Sequence, residues 1–159
     1  MKILIVSDTH GNIYPLKKVL EVEKDFDMFI HCGDVGVDVT EIYSLIDCPC
    51  HIIAGNNDFF SGLPREDIFS IGNNKVLVTH GHNYGVYLSY DRLYYLAVEN
   101  GFNIVMFGHT HAPHIECSNG VWLINPGSIS LPRTADRKMT YIIMDIDDLG
   151  AVNFELKNI

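Results

Sequence analysis

The sequence has 159 residues, of which 47% are hydrophobic and 19% charged. That is enough apolar material for a packed core and too much for a disordered chain, and residues 1–159 are expected to form one domain. Asp and Glu number 20 against 11 Lys and Arg, a formal charge of −9, which excludes a long duplex or an anionic membrane as default partner because phosphate surfaces demand a basic footprint.

The first apolar run, residues 2–7, is too short for the apolar region of an export signal and reads as a β-strand. Strands are also expected at 28–31 and 50–54. Between them, Ile13, Leu16, Val19 and Leu20 make one helical face behind Asn12 as N-cap, and a shorter helix is expected over 39–46. Residues 59–68, with Gly62, Pro64 and Arg65, read as a loop beside the crevice. The second half holds a strand at 75–79, a helix over 89–100 ended by Gly101, and a strand at 103–107. Hairpins follow at 114–117/121–124 and 140–146/151–156, around Ser118-Asn119-Gly120 and Asp147-Asp148-Leu149-Gly150. Parallel strands are therefore expected first and antiparallel hairpins later, in two packed sheets with helices outside. No run approaches the roughly 20 apolar residues of a membrane span. Cys48-Pro49-Cys50 lacks zinc-ribbon spacing, and the four cysteines are expected as reduced thiols of a cytoplasmic protein.

Each apolar strand runs into metal-capable side chains. The clusters are Asp8-Thr9-His10, Gly33-Asp34, Gly55-Asn56-Asn57-Asp58, His80-Gly81-His82 and Gly108-His109-Thr110-His111. In a parallel sheet the C-terminal strand ends share one edge, so topology alone should bring these clusters into one crevice. Carboxylate and amide oxygen with imidazole nitrogen, without thiolate, suit divalent ions such as Mn²⁺, Fe²⁺, Ni²⁺ or Zn²⁺ and leave the choice among them open, Mn²⁺ being the first expectation. If the backbone stays extended, Asp8 and His10 face the same way, as do His109 and His111. With Asp34, Asn56 and His80 this makes seven candidate ligands, too many for one four-coordinate ion and suited to two ions, with the Asp34 carboxylate as bridge. Gly33, Gly55 and Gly108 should permit the tight path out of each strand.

These five blocks, in this order, resemble the calcineurin-like metallophosphoesterases, in particular their small single-domain bacterial and archaeal phosphodiesterase branch. Asn125-Pro126-Gly127-Ser128 and Pro132-Arg133 also look like that branch. The resemblance implies an α/β fold, a four-layer αββα sandwich of two mixed sheets flanked by helices. It also implies one ion on Asp8, His10, Asp34 and His111, and a second on Asp34, Asn56, His80 and His109. A metal-bridging hydroxide would then attack a small phosphodiester. Many members carry a His where this chain has Asn57, which cannot act as a general acid. Esters with stable leaving groups should therefore be favoured, and His82 is a candidate substitute donor.

His31, His51 and His114 read as packing, surface or strand residues without a ligand role. Arg133 reads as either a surface arginine or a clamp on phosphate. Tyr84, Tyr87, Tyr90, Tyr94 and Tyr95 read first as packing or homodimer residues, and second as substrate walls. Two other functions stay open on the same fold: a phosphomonoesterase or protein phosphatase, and a non-catalytic metal-binding scaffold.

Overall fold

The computed structural model describes residues 1–36 and 39–159. Period-two alternation within short strands sets the layering. In β1 (Lys2–Val6), Ile3 and Ile5 enter the core between two sheets, while Leu4 and Val6 face the other way. There they meet α1 (Tyr14–Val22) and α2 (Val39–Tyr43) through Leu16, Val19 and Ile42. Full burial of each such side chain stabilises the fold by about 1.5–3 kcal/mol. The first sheet is completed by β2 (Met28–His31), β3 (Cys50–Ile52), β9 (Thr140–Ile146) and β10 (Val152–Asn158), in the order β10-β9-β1-β2-β3.

The second sheet comprises β4 (Glu66–Ile71), β5 (Asn74–Thr79), β6 (Ile104–Met106), β7 (Pro113–Ser118) and β8 (Val121–Pro126), in the order β4-β5-β6-β8-β7. Val76, Val78, Ile104, Met106 and Ile124 face the first sheet. Leu77, Val105 and Leu123 face α3 (Asp91–Asn100), whose Leu93 and Ala97 lie four residues apart on its inner face. Helices, sheet, sheet and helix thus form the four-layer αββα sandwich. Strands covered on both faces read as continuous apolar runs, which is why β1 and β6 carry no polar alternation.

Four expectations change. The loop over 59–68 is shorter, because from Glu66 the chain pairs antiparallel with β5, Ile68 opposite Leu77. Its polarity is reversed: Ile68 faces solvent, and the partly buried Asp67 bonds His51 Nδ1 at 2.7 Å. Parallel and antiparallel pairing also interleave, since β8 lies parallel to β6 and antiparallel to β7. Asn12 does not cap α1: Ile13 takes that place, and Asn12 Oδ1 accepts only from Tyr14 N at 3.3 Å. Pro15, in the first turn where no backbone N–H is needed, helps set the start instead. Finally, α2 stops at Tyr43, short of residue 46.

Away from the strand ends lies a nearly buried carboxylate. Glu23 accepts from Lys2 Nζ at 2.7 Å, Lys157 Nζ at 2.8 Å and Tyr141 Oη at 3.1 Å, tying α1 to β1, β9 and β10. Burial works against its charge, but these hydrogen bonds outweigh it and hold the carboxyl at about 2. All four cysteines are free thiols. Among the described residues no helix is long and apolar enough to cross a membrane.

Candidate metal centre

The five polar clusters leave the C-terminal ends of β1, β2, β3, β5 and β6, three strands of one sheet and two of the other. The crevice therefore spans both sheets at one end of the sandwich. Its backbone is unusual. Asp8, His10, Asp34, His109 and His111 all have positive φ, between 47° and 69°. The expectation that an extended chain aligns Asp8 with His10 and His109 with His111 is thus wrong, because both members of each pair turn through the left-handed region. Such conformations cost about 1 kcal/mol or more for residues with a Cβ and persist where the surroundings enforce them, most often at functional sites. Of the three glycines, Gly33 adopts φ +94°, while Gly55 and Gly108 are needed for closeness. A Cβ on Gly55 would stand 2.0 Å from Asp34 Oδ1, and one on Gly108 2.1 Å from Ser7 Oγ.

Asp8, His10, Asp34 and His111 bring one ligand atom each within 4.8 Å of one another, and Asp34, His80 and His109 do the same. His10 Nε2 lies 3.1 Å from His111 Nε2, 3.7 Å from Asp8 Oδ1 and 3.6 Å from Asp34 Oδ2. His111 Nε2 stands 3.1 Å from Asp8 Oδ1. Donors around a cation at about 2.1 Å are spaced by about 3–3.5 Å, so these separations suit an ion. Asp34 Oδ2 also lies 3.4 Å from His80 Nε2, so one carboxylate oxygen belongs to both groups. The rings of His80 and His109 are 5.0 Å apart.

Several buried polar atoms here have no hydrogen-bond partner: Asp8 Oδ1, Asn56 Oδ1 and His80 Nε2, besides Ser7 Oγ and His82 Nδ1. Leaving such atoms unmet is costly. The far ring nitrogens, in contrast, are anchored: His80 Nδ1 on Cys32 O at 2.8 Å and His111 Nδ1 on Leu131 O at 2.5 Å. Nδ1–H donating to a carbonyl leaves the Nε2 lone pair for a cation. The residues present fit divalent ions. The carboxylates and imidazoles of the site also act on one another's charge. Burial opposes charge on Asp8, but the neighbouring imidazoles of His10 and His111, with His80 beyond them, drive its carboxyl well below the usual range. Burial likewise opposes Asp34, yet His80 and the two Asn57 N–H groups hold it at about 2. Burial lowers His109 and His82, and nearby His80 adds to that. For His80 and His111 burial is overcome by Asp34 and Asp8 respectively, and both are raised.

A model of the calcineurin-like phosphoesterase superfamily domain matches residues 1–149. The chain belongs to that superfamily. It is 36% identical over 156 residues to a probable metallophosphoesterase, YsnB of Bacillus subtilis, covering 97% of this chain and 90% of the relative. It is 32% identical over 146 residues to the phosphodiesterase MJ0936 of Methanocaldococcus jannaschii, covering 80% and 83%. Among solved structures, Zn²⁺-complexed Vps29 of Entamoeba histolytica superposes with a TM-score of 0.80 at 21% identity, covering 99% of each chain, a likeness of fold.

In this superfamily member the site rests on residues that turn composition hides. Asp58 belongs to the third of the metal-capable clusters, but its carboxylate accepts from the N–H groups of Val35 and Gly55 (Oδ2, 2.9 and 2.8 Å) and Gly36 (Oδ1, 2.9 Å), clamping the loops after β2 and β3 together. Asn57 donates its backbone N–H to Asp34 Oδ1 at 2.9 Å and its side-chain N–H to Asp34 Oδ2 at 2.7 Å, so its amide is spent on that carboxylate. Ser128 and Ser130 hydroxyls hold the Asp8 carbonyl, each at 2.9 Å, and Asn125 holds Gly108 O at 2.9 Å. His31 is a buried structural histidine: its Nδ1 accepts from Gly33 N and its Nε2 meets Thr9 Oγ1. Burial lowers it to about 4, so it stays neutral near pH 7. His114 pairs with Glu116, outside the cluster. His82 sits in a single helical turn (His82–Tyr84), its ring 5.5 Å from His80 and 6.0 Å from His109. Tyr84, Tyr90 and Tyr94 pack against the apolar cluster between α3 and the second sheet, whereas Tyr87 and Tyr95 are exposed.

Proposed function

We propose that this protein is a metal-dependent phosphodiesterase acting on small phosphodiesters at a dinuclear centre. One ion is assigned to Asp8, His10, Asp34 and His111, and the other to Asp34, Asn56, His80 and His109. The observation that carries the reading is Asp34 Oδ2, poised between His10 Nε2 and His80 Nε2. A dinuclear centre, when loaded with Mn²⁺, Ni²⁺, Fe²⁺ or Zn²⁺, activates water and neutralises charge on phosphoryl oxygens. The protein orients the donors: carbonyls fix the rings of His80 and His111, and Asn57 fixes Asp34. Because Asn57 carries no transferable proton, we assign the preferred substrates to esters with stable leaving groups, with His82 as the candidate donor for others. The free thiols fit a reducing compartment, and we place the protein in the cytoplasm.

The test compares bis(p-nitrophenyl) phosphate with p-nitrophenyl phosphate, with Mn²⁺ or Ni²⁺, before and after chelation, alongside metal analysis of the protein. Metal-dependent turnover favouring the diester is expected. Preference for the monoester would make the protein a phosphomonoesterase, and full metal loading with no turnover would make it a scaffold.

A further inference from the structure

At the rim of the centre stands a cation whose charge the chain leaves unused. The Arg133 backbone N–H donates to His111 O at 3.1 Å, so the segment after β8 hangs on a candidate ligand. Its guanidinium turns toward Tyr87: Nη1 donates to Tyr87 Oη, and Cζ lies 5.9 Å from the ring centroid. Tyr87 Oη in turn donates to His109 O at 2.8 Å, and its ring meets His109 edge to face, centroids 4.7 Å apart. Arg133 and Tyr87 therefore run from the backbone of His111 to that of His109, histidines assigned to different ions.

Among the described residues, every ion pair made by a lysine or arginine is made by a lysine: Lys2, Lys17, Lys138 or Lys157. Among the described residues Arg133 pairs with no carboxylate. Holding an exposed arginine in one pose costs rotamer freedom that a single bond to a neutral hydroxyl does little to offset. Both side chains are exposed, so packing does not impose the pose. A planar guanidinium held this way matches two oxygens of a phosphate, and its charge stands out on a chain of net −9.

We propose that Arg133 binds a phosphate oxygen of the substrate and that Tyr87 is the positioning residue that aims it. This rests on the phosphoesterase reading and deepens it, giving the centre one side-chain contact to the phosphoryl group beyond the ions. Tyr87, which reads from sequence as a packing or dimer residue, becomes part of the substrate site.

Two measurements test this on the Mn²⁺-loaded protein: binding of inorganic phosphate by calorimetry, and KM and kcat on bis(p-nitrophenyl) phosphate. Arg133→Ala should weaken phosphate binding and raise KM about tenfold, the loss expected for a charge-assisted contact, with kcat changed less. Arg133→Lys should recover part of both. Tyr87→Phe, which keeps the ring on His109 and frees the guanidinium, should raise KM by about threefold with unchanged metal content. Arg137→Asn, a control that tolerates the positive φ of its position, should change neither. Equal phosphate affinity in wild type and Arg133→Ala overturns the proposal, even if the diester is hydrolysed. Arg133-dependent phosphate binding without turnover of any phosphoester supports this contact and sinks the hydrolytic reading alone.

Discussion

The chain buries carboxylates in two places and treats them in opposite ways. Glu23 is ringed by Lys2, Lys157 and Tyr141, all supplied by the chain. Asp8 and Asp34 are buried among imidazoles, and Asp8 Oδ1, Asn56 Oδ1 and His80 Nε2 remain without partners. The backbone tells the same story: Asp8 and Asp34 sit in left-handed conformations, and Glu23 ends a regular helix. A polar cluster that the chain completes by itself is a fastening. One held open at a cost in strain and desolvation is a receptacle for something the chain does not supply.

That contrast can be broken or sharpened, starting with the largest effect. Asp34→Ala should lower metal-dependent phosphodiester turnover by more than about 100-fold, beyond what losing an outer-shell partner costs. Its metal-free melting temperature should fall only modestly, through the two Asn57 N–H groups that lose their acceptor, and calorimetric unfolding of metal-free protein checks this. Mn²⁺ at about a hundred times its Kd should stabilise wild type by about 2.7 kcal/mol, raising Tm by about 5–10 °C in a thermal melt. Asp34→Ala should show little of that rise. Glu23→Gln should behave in the reverse sense, costing about 2 kcal/mol of stability in urea titrations with kcat unchanged. Because the Glu23 carboxyl is held at about 2, below its ordinary 4.5, its contribution is full above about pH 4.5 and fades as pH falls toward 2. The stability gap between wild type and Glu23→Gln should therefore close across that window, and a gap that widened on acidification would refute the assignment. Smallest in energy, Asn57→Ala should weaken Mn²⁺ binding by about tenfold through loss of its hold on Asp34, measured by calorimetry.

Much of this was legible in the residues. Short apolar runs ending in Asp, His and Asn marked the strand ends, and the order of strands and helices pointed to two packed sheets with helices outside, while the four-layer αββα sandwich was implied by the family resemblance. The structure brings Asp8, His10, Asp34 and His111 into one group and Asp34, His80 and His109 into another. What was hidden had physical reasons. Local pattern says that a strand is buried but not which sheet it joins, so the division of the clusters between two sheets could not be read. β4 escaped because Asp67 turns inward to His51 while Ile68 turns out. The left-handed turns at Asp8 and His10 escaped because Asp and His, unlike Gly, do not announce them. The clamp made by Asp58 escaped because clamps, turns and metal sites draw on the same residue types.

The first strand in chain order is flanked by one from the last third of the sequence. β1 pairs with β9 through Ile3 and Met144, and the Asp8 loop hangs on Ser128 and Ser130. The Asp8 loop, bonded to the loop after β2 through Gly33 O and Asp34 O, therefore takes its further anchors from residues more than a hundred positions later in the sequence. A chain cut before Ser128 would lose both hydroxyl anchors on the Asp8 carbonyl, so the geometry of the proposed ion site depends on contacts of high sequence separation, the kind that form late in folding.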